Sequence, residues 1–321
     1  MPCAPEKLLL AAPRGYCAGV DRAVQTVEQA LGLYGAPVYV RKEIVHNKHV
    51  VEQLRAHGAV FVDSETEVPE GATVVFSAHG VAPSVHANSR RRDLHTIDAT
   101  CPLVTKVHRE ANKFAADGYT IVLIGHAGHE EVEGTMGEAP EDILLIENED
   151  DVDALEVKDP GKVAYISQTT LSVDETRAII DRLRERFPAI VGPRTDDICY
   201  ATTNRQAAVK QLAHACDLVL VIGSRNSSNS NRLVEVAREH GAESFLIDNE
   251  AQVRERWLLD APVVGITSGA SAPEELVQRL VDFFRARGTT DVQELEVVQE
   301  DVRFMLPKVI RQATISASAS A

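Results

Sequence analysis

The chain has 321 residues, 44% of them hydrophobic and 25% charged, which excludes a disordered or fibrous polymer and gives roughly two or three domains enough apolar material for a core. The formal net charge is −15, from 48 acidic and 33 basic residues, which excludes a general binder of nucleic acid or anionic membrane, so an anionic substrate would need a local, preorganised pocket. No apolar run reaches the roughly 18 residues of a membrane span. The start, MPCAPEKLLLAAPRG, lacks the basic and long apolar regions of a signal peptide, so a cytoplasmic location is expected. Five cysteines in a reducing compartment are not expected to form disulfides, which leaves thiol, metal and redox roles open.

In chain order, KLLLAA predicts a strand within 7–16, and Cys17 then opens CAGVDRAVQTVEQALGLYGAPVYV. The apolar residues recur at helical spacing, stop at a glycine or polar break, and give way to a β-branched run, as in an α/β unit. The same sequence of events begins at Cys101 (CPLVTKVHREANKFAADGYTIVLIG) and at Cys199 (CYATTNRQAAVKQLAHACDLVLVIG). Each repeat continues with a polar loop: EIVHNKH, GHAGHEE and GSRNSSNSNR. A second helix is expected from VVEQLRAHG and RLVEVAREHG, and only a short one from the glycine-rich EGTMGEAP. Short strands AVFVD, ILLIE and SFLID come next, then an acidic connection and the last strands TVVFSAHG, KVAYISQTT and PVVGITSGAS. HTIDAT and the weaker RTDDI predict strands before Cys101 and Cys199, and they carry Asp98 and Asp197.

Alternating strands and helices imply parallel sheets, whose ligands lie beyond the carboxyl ends of the strands. The expected fold class is therefore α/β, with three similar domains in pseudo-threefold arrangement around a central cavity. The repeats are placed at 17–100, 101–196 and 197–287, the last joined by the strand in 7–16. Residues 288–311 are expected as a C-terminal arm and 312–321 as a low-complexity, disordered tail.

The three repeat cysteines each precede a helix, where the N-terminus favours the thiolate that ligates iron. No CxxC pair occurs, which argues against common structural zinc sites. A full cubane needs four ligands. Three cysteines therefore suit one 4Fe-4S cluster with one open iron, and an open metal position is how such a site takes substrate. Cys216 has the apolar setting of a core cysteine, and Cys3 is given no role.

The strand-end loops hold His46, His79 and His129, with Ser227, Ser228, Asn229, Ser268, Ser271, Gln168, Thr169 and Thr170. This is a donor-rich set suited to phosphate oxygens. GHAGHEEVEG reads either as an H-x-x-H metal site through His126 and His129 or as a proton-transfer site through Glu130 or Glu131. The repeat favours the second reading, because its equivalents hold His46 and Ser227–Asn229.

The stretches PRGYCAGVDRA, DATCPLVTKVH, IGHAGHEEVEGTMGE, SQTTLSV, FPAIVGPRTDDICYATTNRQ, GSRNSSNSNRL and GITSGASAPE closely resemble the LytB/IspH family of 4-hydroxy-3-methylbut-2-enyl diphosphate reductases. The matching stretches run from residue 13 to about 275 in the family's order. The resemblance implies a trefoil of three α/β domains around a 4Fe-4S cluster held by Cys17, Cys101 and Cys199. It implies diphosphate contacts from His46, His79 and His129, further substrate contacts from Thr169, Ser227, Ser228, Asn229 and Ser271, and Glu131 as the acid. Glu130 stands where relatives commonly have proline, and is read as an ordinary surface charge whose effect on Glu131 is open.

The implied reaction is a two-electron reductive dehydroxylation giving isopentenyl and dimethylallyl diphosphates, the last step of the methylerythritol phosphate route to isoprenoids. It needs an external electron donor of ferredoxin or flavodoxin type, because no flavin or nicotinamide fingerprint occurs. No nucleic-acid or membrane partner is expected, and the chain is expected as monomer or homodimer. The alternatives are a 4Fe-4S hydro-lyase acting on a phosphorylated substrate, an iron–sulfur sensor, and a zinc hydrolase built on GHAGHEE.

Overall fold

A computed structural model describes residues 4–319. β1 (Lys7–Ala12) leads through Cys17 into α1 (Ala18–Tyr34), β2 (Val38–Arg41), α2 (Lys48–Ala56), β3 (Ala59–Val62), β4 (Thr73–Phe76), α3 (Pro83–Arg91) and β5 (His95–Asp98). After Cys101 come α4 (Pro102–Ala116), β6 (Thr120–Ile124), α5 (Glu130–Met136), β7 (Ile143–Ile146), α6 (Glu149–Ala154), β8 (Val163–Ser167) and α7 (Val173–Arg186). After Cys199 come α8 (Tyr200–Ala215), β9 (Leu218–Ile222), α9 (Ser228–Glu239), β10 (Glu243–Ile247), β11 (Val263–Ser268), α10 (Glu274–Arg285), β12 (Asp291–Glu296) and α11 (Lys308–Ala319).

The strands form three sheets, in the orders β3-β2-β4-β5, β7-β6-β8 and β10-β9-β11-β1-β12. Every pairing between these strands is parallel. The repeat is explicit in these orders: the first strand after each cysteine helix is central, flanked by the second and third. The strand that precedes a cysteine then adds beside the third strand of the repeat before it. β5, before Cys101, pairs with β4, and β1, before Cys17, pairs with β11. Each cysteine thus stands where the chain leaves one sheet to begin the next repeat.

Parallel sheets need both faces covered, and the apolar runs supply this. On β9, Leu218, Leu220 and Ile222 face a core built with α10, including Leu276, Leu280 and Phe284. Val219 and Val221 point to the other face, where α8 and α9 contribute Val209, Leu212 and Leu233. β6 does the same: Ile121 and Leu123 pack with Val107 and Phe114 of α4, and Val122 and Ile124 with Ile179 and Leu183 of α7. The helices α3, α7 and α10 after each third strand, for which the sequence reading made no provision, provide the second cover.

Three segments differ from the sequence expectations. Arg194–Ile198 is not a strand; contact with the second sheet is made earlier, by a single parallel bridge between Ala164 and Val191. Four residues of RTDDI are polar, and the Asp197 carboxylate is used to accept the Ser167 N–H at 2.9 Å. The arm is not merely extended, because β12 pairs with β1 over its whole length, Lys7 against Asp291 through Ala12 against Glu296. The segment expected to be disordered from 312 is helical as far as Ala319, on a helix anchored by fully buried Ile310. Alanine is the best helix former, and composition alone hid that. Cys3 and the last two residues lie outside the described residues.

The chain divides into two compact units. One comprises the N-terminal stretch through Ala18, His46–Val50 and Tyr200–Arg303, and carries the five-stranded sheet. The other comprises Gly19–Val45, Val51–Cys199 and the chain from Phe304, and carries the other two sheets.

Gly265 of β11 faces Leu212 and Cys216 so closely that a Cβ there would lie 2.8 Å from Leu212 Cγ and 2.9 Å from Cys216 Sγ. Overpacking a well-filled core costs about 1–3 kcal/mol. Gly265→Val should lower the unfolding free energy by that amount in urea titrations, and Gly265→Val combined with Leu212→Ala should recover part of it.

Candidate active site

The three cysteines are held by the same backbone bond. Cys17 N–H donates to Ala270 O at 3.2 Å, Cys101 N–H to Ala78 O at 3.0 Å, and Cys199 N–H to Thr169 O at 3.0 Å. Each acceptor lies two residues beyond the end of a third strand, β11, β4 and β8 respectively. All three thiols are free of disulfides and only partly buried, and each stands at or just before the start of α1, α4 or α8. Such a donor set fits iron ligation. Cys216 is of a different kind. Burial pushes its thiol up to about 12, so it stays protonated in the core.

In the unit that carries the five-stranded sheet, Cys17 comes together with His46, Ser227, Asn229 and Ser271. Asn229 Oδ1 accepts the Ala270 N–H at 2.9 Å, next to the carbonyl that holds Cys17. Its Nδ2 is buried and has no partner among the described residues, so it is a donor that folding alone does not satisfy. The Ser271 hydroxyl donates to His46 O at 2.9 Å, and Asn226 Nδ2 lies 3.4 Å from His46 Nδ1. Ser227 caps α9 and accepts from Ser230 N–H at 3.3 Å and from the Ser230 hydroxyl at 3.0 Å. Its own hydroxyl hydrogen is left to donate. Ser228 is the first residue of α9, where backbone N–H groups favour an anion.

The other unit brings together Cys101, Cys199, His79, His129, Glu130, Glu131 and Thr169. His129 caps α5 through Nδ1, which accepts the Glu131 N–H at 3.2 Å. That bond places the proton of a neutral ring on Nε2, making it a donor. The same capping use of Nδ1 weighs against the H-x-x-H metal reading. Among the described residues His126 joins no group of three ligating side chains close enough to share an ion. Gln168 and Thr170 serve the loop itself: Gln168 Oε1 accepts the His126 N–H at 3.1 Å, and Gln168 Nε2 donates to Thr170 Oγ1 at 2.9 Å. Gly80 (φ +82°) allows the His79 loop to approach α5, where a Cβ on Gly134 would come within 3.3 Å of the Gly80 carbonyl.

Glu131 is 3% exposed. Its Oε1 accepts the Thr169 N–H at 2.7 Å and its Oε2 the Thr169 hydroxyl at 3.0 Å. Burial pushes its carboxyl up to about 7, against the lowering effect of both Thr169 bonds. A carboxyl poised there can give a proton at neutral pH. Thr169 therefore joins two functions: its carbonyl holds Cys199 and its N–H and hydroxyl hold Glu131.

Glu130 is not the surface charge expected from sequence. Its Oε2 lies 3.1 Å from His79 Nδ1, its side chain is 18% exposed, and the His79 ring stands edge-on to His129 at 5.8 Å between centroids. The signal was present in the sequence as the departure from proline, but only the packing of β4's end loop against α5 reveals its partner. Tyr200 was also passed over. Its phenol oxygen accepts the Ala18 N–H at 3.1 Å, and burial pushes it up to about 12.

A model of the LytB protein family matches residues 8–285. The chain belongs to the LytB family. Curated proteins similar to this LytB chain include the 4-hydroxy-3-methylbut-2-enyl diphosphate reductase of Nocardia farcinica, 61% identical over 307 residues (95% of this chain and 91% of that protein). The reductase of Cutibacterium acnes is 58% identical over 316 residues, 98% of both chains. Among solved structures, the E-1-hydroxy-2-methyl-but-2-enyl-4-diphosphate reductase of Plasmodium falciparum is 36% identical with a TM-score of 0.95, covering 98% of this chain and 99% of that one. No helix among the described residues is long and apolar enough to cross a membrane.

The raised Glu131 carboxyl predicts a pH dependence of stability. The folded protein holds this proton more tightly than the unfolded chain. The contribution is therefore fully favourable below the unfolded value near 4.5, and is lost as pH rises through about 7. Glu131→Gln removes the ionisation penalty. Urea denaturation at pH 5 and pH 8 should show the wild type losing on the order of 2–3 kcal/mol more than the variant between the two.

Proposed function

We propose that this LytB protein reduces 4-hydroxy-3-methylbut-2-enyl diphosphate to isopentenyl and dimethylallyl diphosphates, using one 4Fe-4S cluster on Cys17, Cys101 and Cys199. The observation that carries the reading is Thr169, which holds both the raised Glu131 carboxyl and the Cys199 amide. The relatives named above support the substrate. When bound, the cluster supplies single electrons and, at an iron without a protein ligand, Lewis acidity. The balance is one substrate, two electrons and two protons giving one alkenyl diphosphate and one water.

The protein's own groups do the rest. His129 Nε2–H, His79 and His46, with Ser227, Ser228, Asn229 and Ser271, form the diphosphate-binding set. Asn229 Nδ2 and the Ser227 hydroxyl are donors toward phosphate oxygen. Ser271 contributes chiefly by fixing the His46 backbone. Glu131 gives a proton to the leaving hydroxyl, with the Thr169 hydroxyl as the group between carboxyl and substrate. After that transfer the two Thr169 bonds stabilise the carboxylate that remains. The three α/β repeats, 17–100, 101–196 and 197–287, each contribute one cysteine. Electrons come from a ferredoxin- or flavodoxin-type donor. The protein works in the cytoplasm, without membrane or nucleic acid, as monomer or homodimer.

Three outcomes test this. Cys17→Ser, Cys101→Ser and Cys199→Ser should each lose the cluster, while Cys216→Ser keeps it. Iron and sulfide assays on anaerobically purified protein decide it, and full cluster content in any of the first three sinks the ligand set. Glu131→Gln should lose roughly 10²–10⁴-fold in turnover with its cluster spectrum intact, in steady-state assays with a chemical reductant. Glu130→Ala should raise the Michaelis constant roughly tenfold, the worth of one hydrogen bond to a charged group, at unchanged kcat. Glu130→Gln, which keeps an acceptor for His79, should recover most of the loss; equal constants in all three proteins would make Glu130 incidental.

A further inference from the structure

Each cysteine loop has backbone carbonyls held by a cation, and the three contacts follow one another in cyclic order along the chain. Arg22, on the helix that follows Cys17, donates through Nη1 to Ala99 O at 2.9 Å and Thr100 O at 3.0 Å, the two residues before Cys101. Lys106, on the helix that follows Cys101, donates through Nζ to Thr195 O at 2.5 Å and Asp196 O at 3.0 Å, just before Cys199. Arg205, on the helix that follows Cys199, donates through Nη2 to Gly15 O at 2.7 Å, two residues before Cys17. The helix begun by one cysteine thus holds the loop of the next, and the third returns to the first.

Lys106 and Arg205 also pair with a carboxylate, whereas the charge near Arg22 acts without a direct pair. Asp98, three residues before Cys101, acts on Arg22, whose guanidinium burial pushes down while Asp98 and Cys101 hold it up. Asp197, two residues before Cys199, accepts from Lys106 at 3.0 Å. The PRGYC loop has no acidic residue before Cys17. There the partner comes from the C-terminal segment: Glu300 lies 3.1 Å from Arg205 Nη1, and the arginine side chain is fully buried. The same segment grips that loop twice more, by Val297 N–H to Ala12 O at 2.9 Å and Glu294 to Arg14 at 2.7 Å. Glu300 therefore takes the place beside Arg205 that Asp197 holds beside Lys106. It lies beyond the region matched by the family model.

We infer that Arg22, Lys106 and Arg205 are positioning residues for the three cysteines and set the charge beside them, and that the segment after β12 supplies Glu300 as the carboxylate partner of Arg205. The inference rests on the reading that these cysteines hold an iron–sulfur cluster. Groups around a metal's ligands orient them and tune the metal, and cluster potentials follow net charge and hydrogen bonding. A nearby cation favours the reduced, more negative cluster. Loss of its charge lowers the potential, and loss of its carboxylate raises it.

The test is a redox titration followed by electron paramagnetic resonance on anaerobically prepared holoprotein, with the rate of cluster loss to a chelator as a second readout. Arg22→Gln, Lys106→Gln and Arg205→Gln should each shift the midpoint to more negative values and speed cluster loss several-fold. Arg22→Lys and Lys106→Arg keep the charge and should keep the potential. Glu300→Gln should shift it the opposite way, to more positive values, which simple destabilisation does not produce. Arg182→Gln, from an exposed pair with Asp153, should change nothing. Should a glutamine variant fail to fold, Glu300→Gln still decides by the sign of its shift. Unchanged potentials and loss rates in the neutral variants, or a negative shift in Glu300→Gln, overturn the inference. A wild-type protein without a cluster, or cysteine-to-serine variants that retain it, would instead overturn the ligand reading on which it stands.

Discussion

The amide of each repeat cysteine is held by a carbonyl two residues past the end of a third strand, and much of the molecule's design follows from that bond. A cysteine placed at the start of a helix has no intrahelical partner for its N–H. Here that donor is satisfied by the loop that follows a third strand. The consequence is that a cysteine cannot move relative to the loop that carries Ala78, Thr169 or Ala270 without breaking a backbone hydrogen bond. Those loops also carry His79, Ser271 and, through Thr169, the contact to Glu131. The cysteines and these polar side chains are thereby fixed by common short segments.

The environment of Glu131 is set by opposing effects. Thr169 offers two hydrogen bonds that favour the carboxylate, and near-total burial favours the acid. Burial prevails, leaving a carboxyl near 7 that is already solvated by fixed donors for the moment it loses its proton. A carboxyl so placed can lose its proton with little reorganisation. His129 contributes to it indirectly. By capping α5 with Nδ1 it holds the Glu131 backbone and turns its remaining N–H outward.

The carboxyl-terminal part of the chain extends the same logic. Parallel strand β12 adds to β1 along all six residues, and the chain after it places Glu300 against Arg205. A buried ion pair seldom adds net stability, because desolvation offsets attraction. Its value here is geometric: a planar guanidinium donates at once to Gly15 O, Ala201 O and the Glu300 carboxylate. The PRGYC loop is in this way tied both to α8 and to the end of the chain.

The periodicity of the sequence determined the α/β class, the parallel strand pairing and the recurrence of one pattern after three of the cysteines. These are encoded locally, in helical spacing, β-branched runs and the recurrence of one pattern after Cys17, Cys101 and Cys199. The candidate loops were legible for the same reason, since ligands in parallel sheets lie at strand ends. What only the tertiary structure decided depends on partners far apart in the chain. Glu130 reads as one more charge until the end of β4 brings His79 to it. RTDDI reads as a strand until Asp197 is seen to use its oxygens on Ser167 and Lys106. The final residues read as low complexity until Ile310 is found buried. The carboxyl of Glu131 is likewise an ordinary acid in the sequence, because desolvation is a property of everything packed around a group and not of the residues beside it.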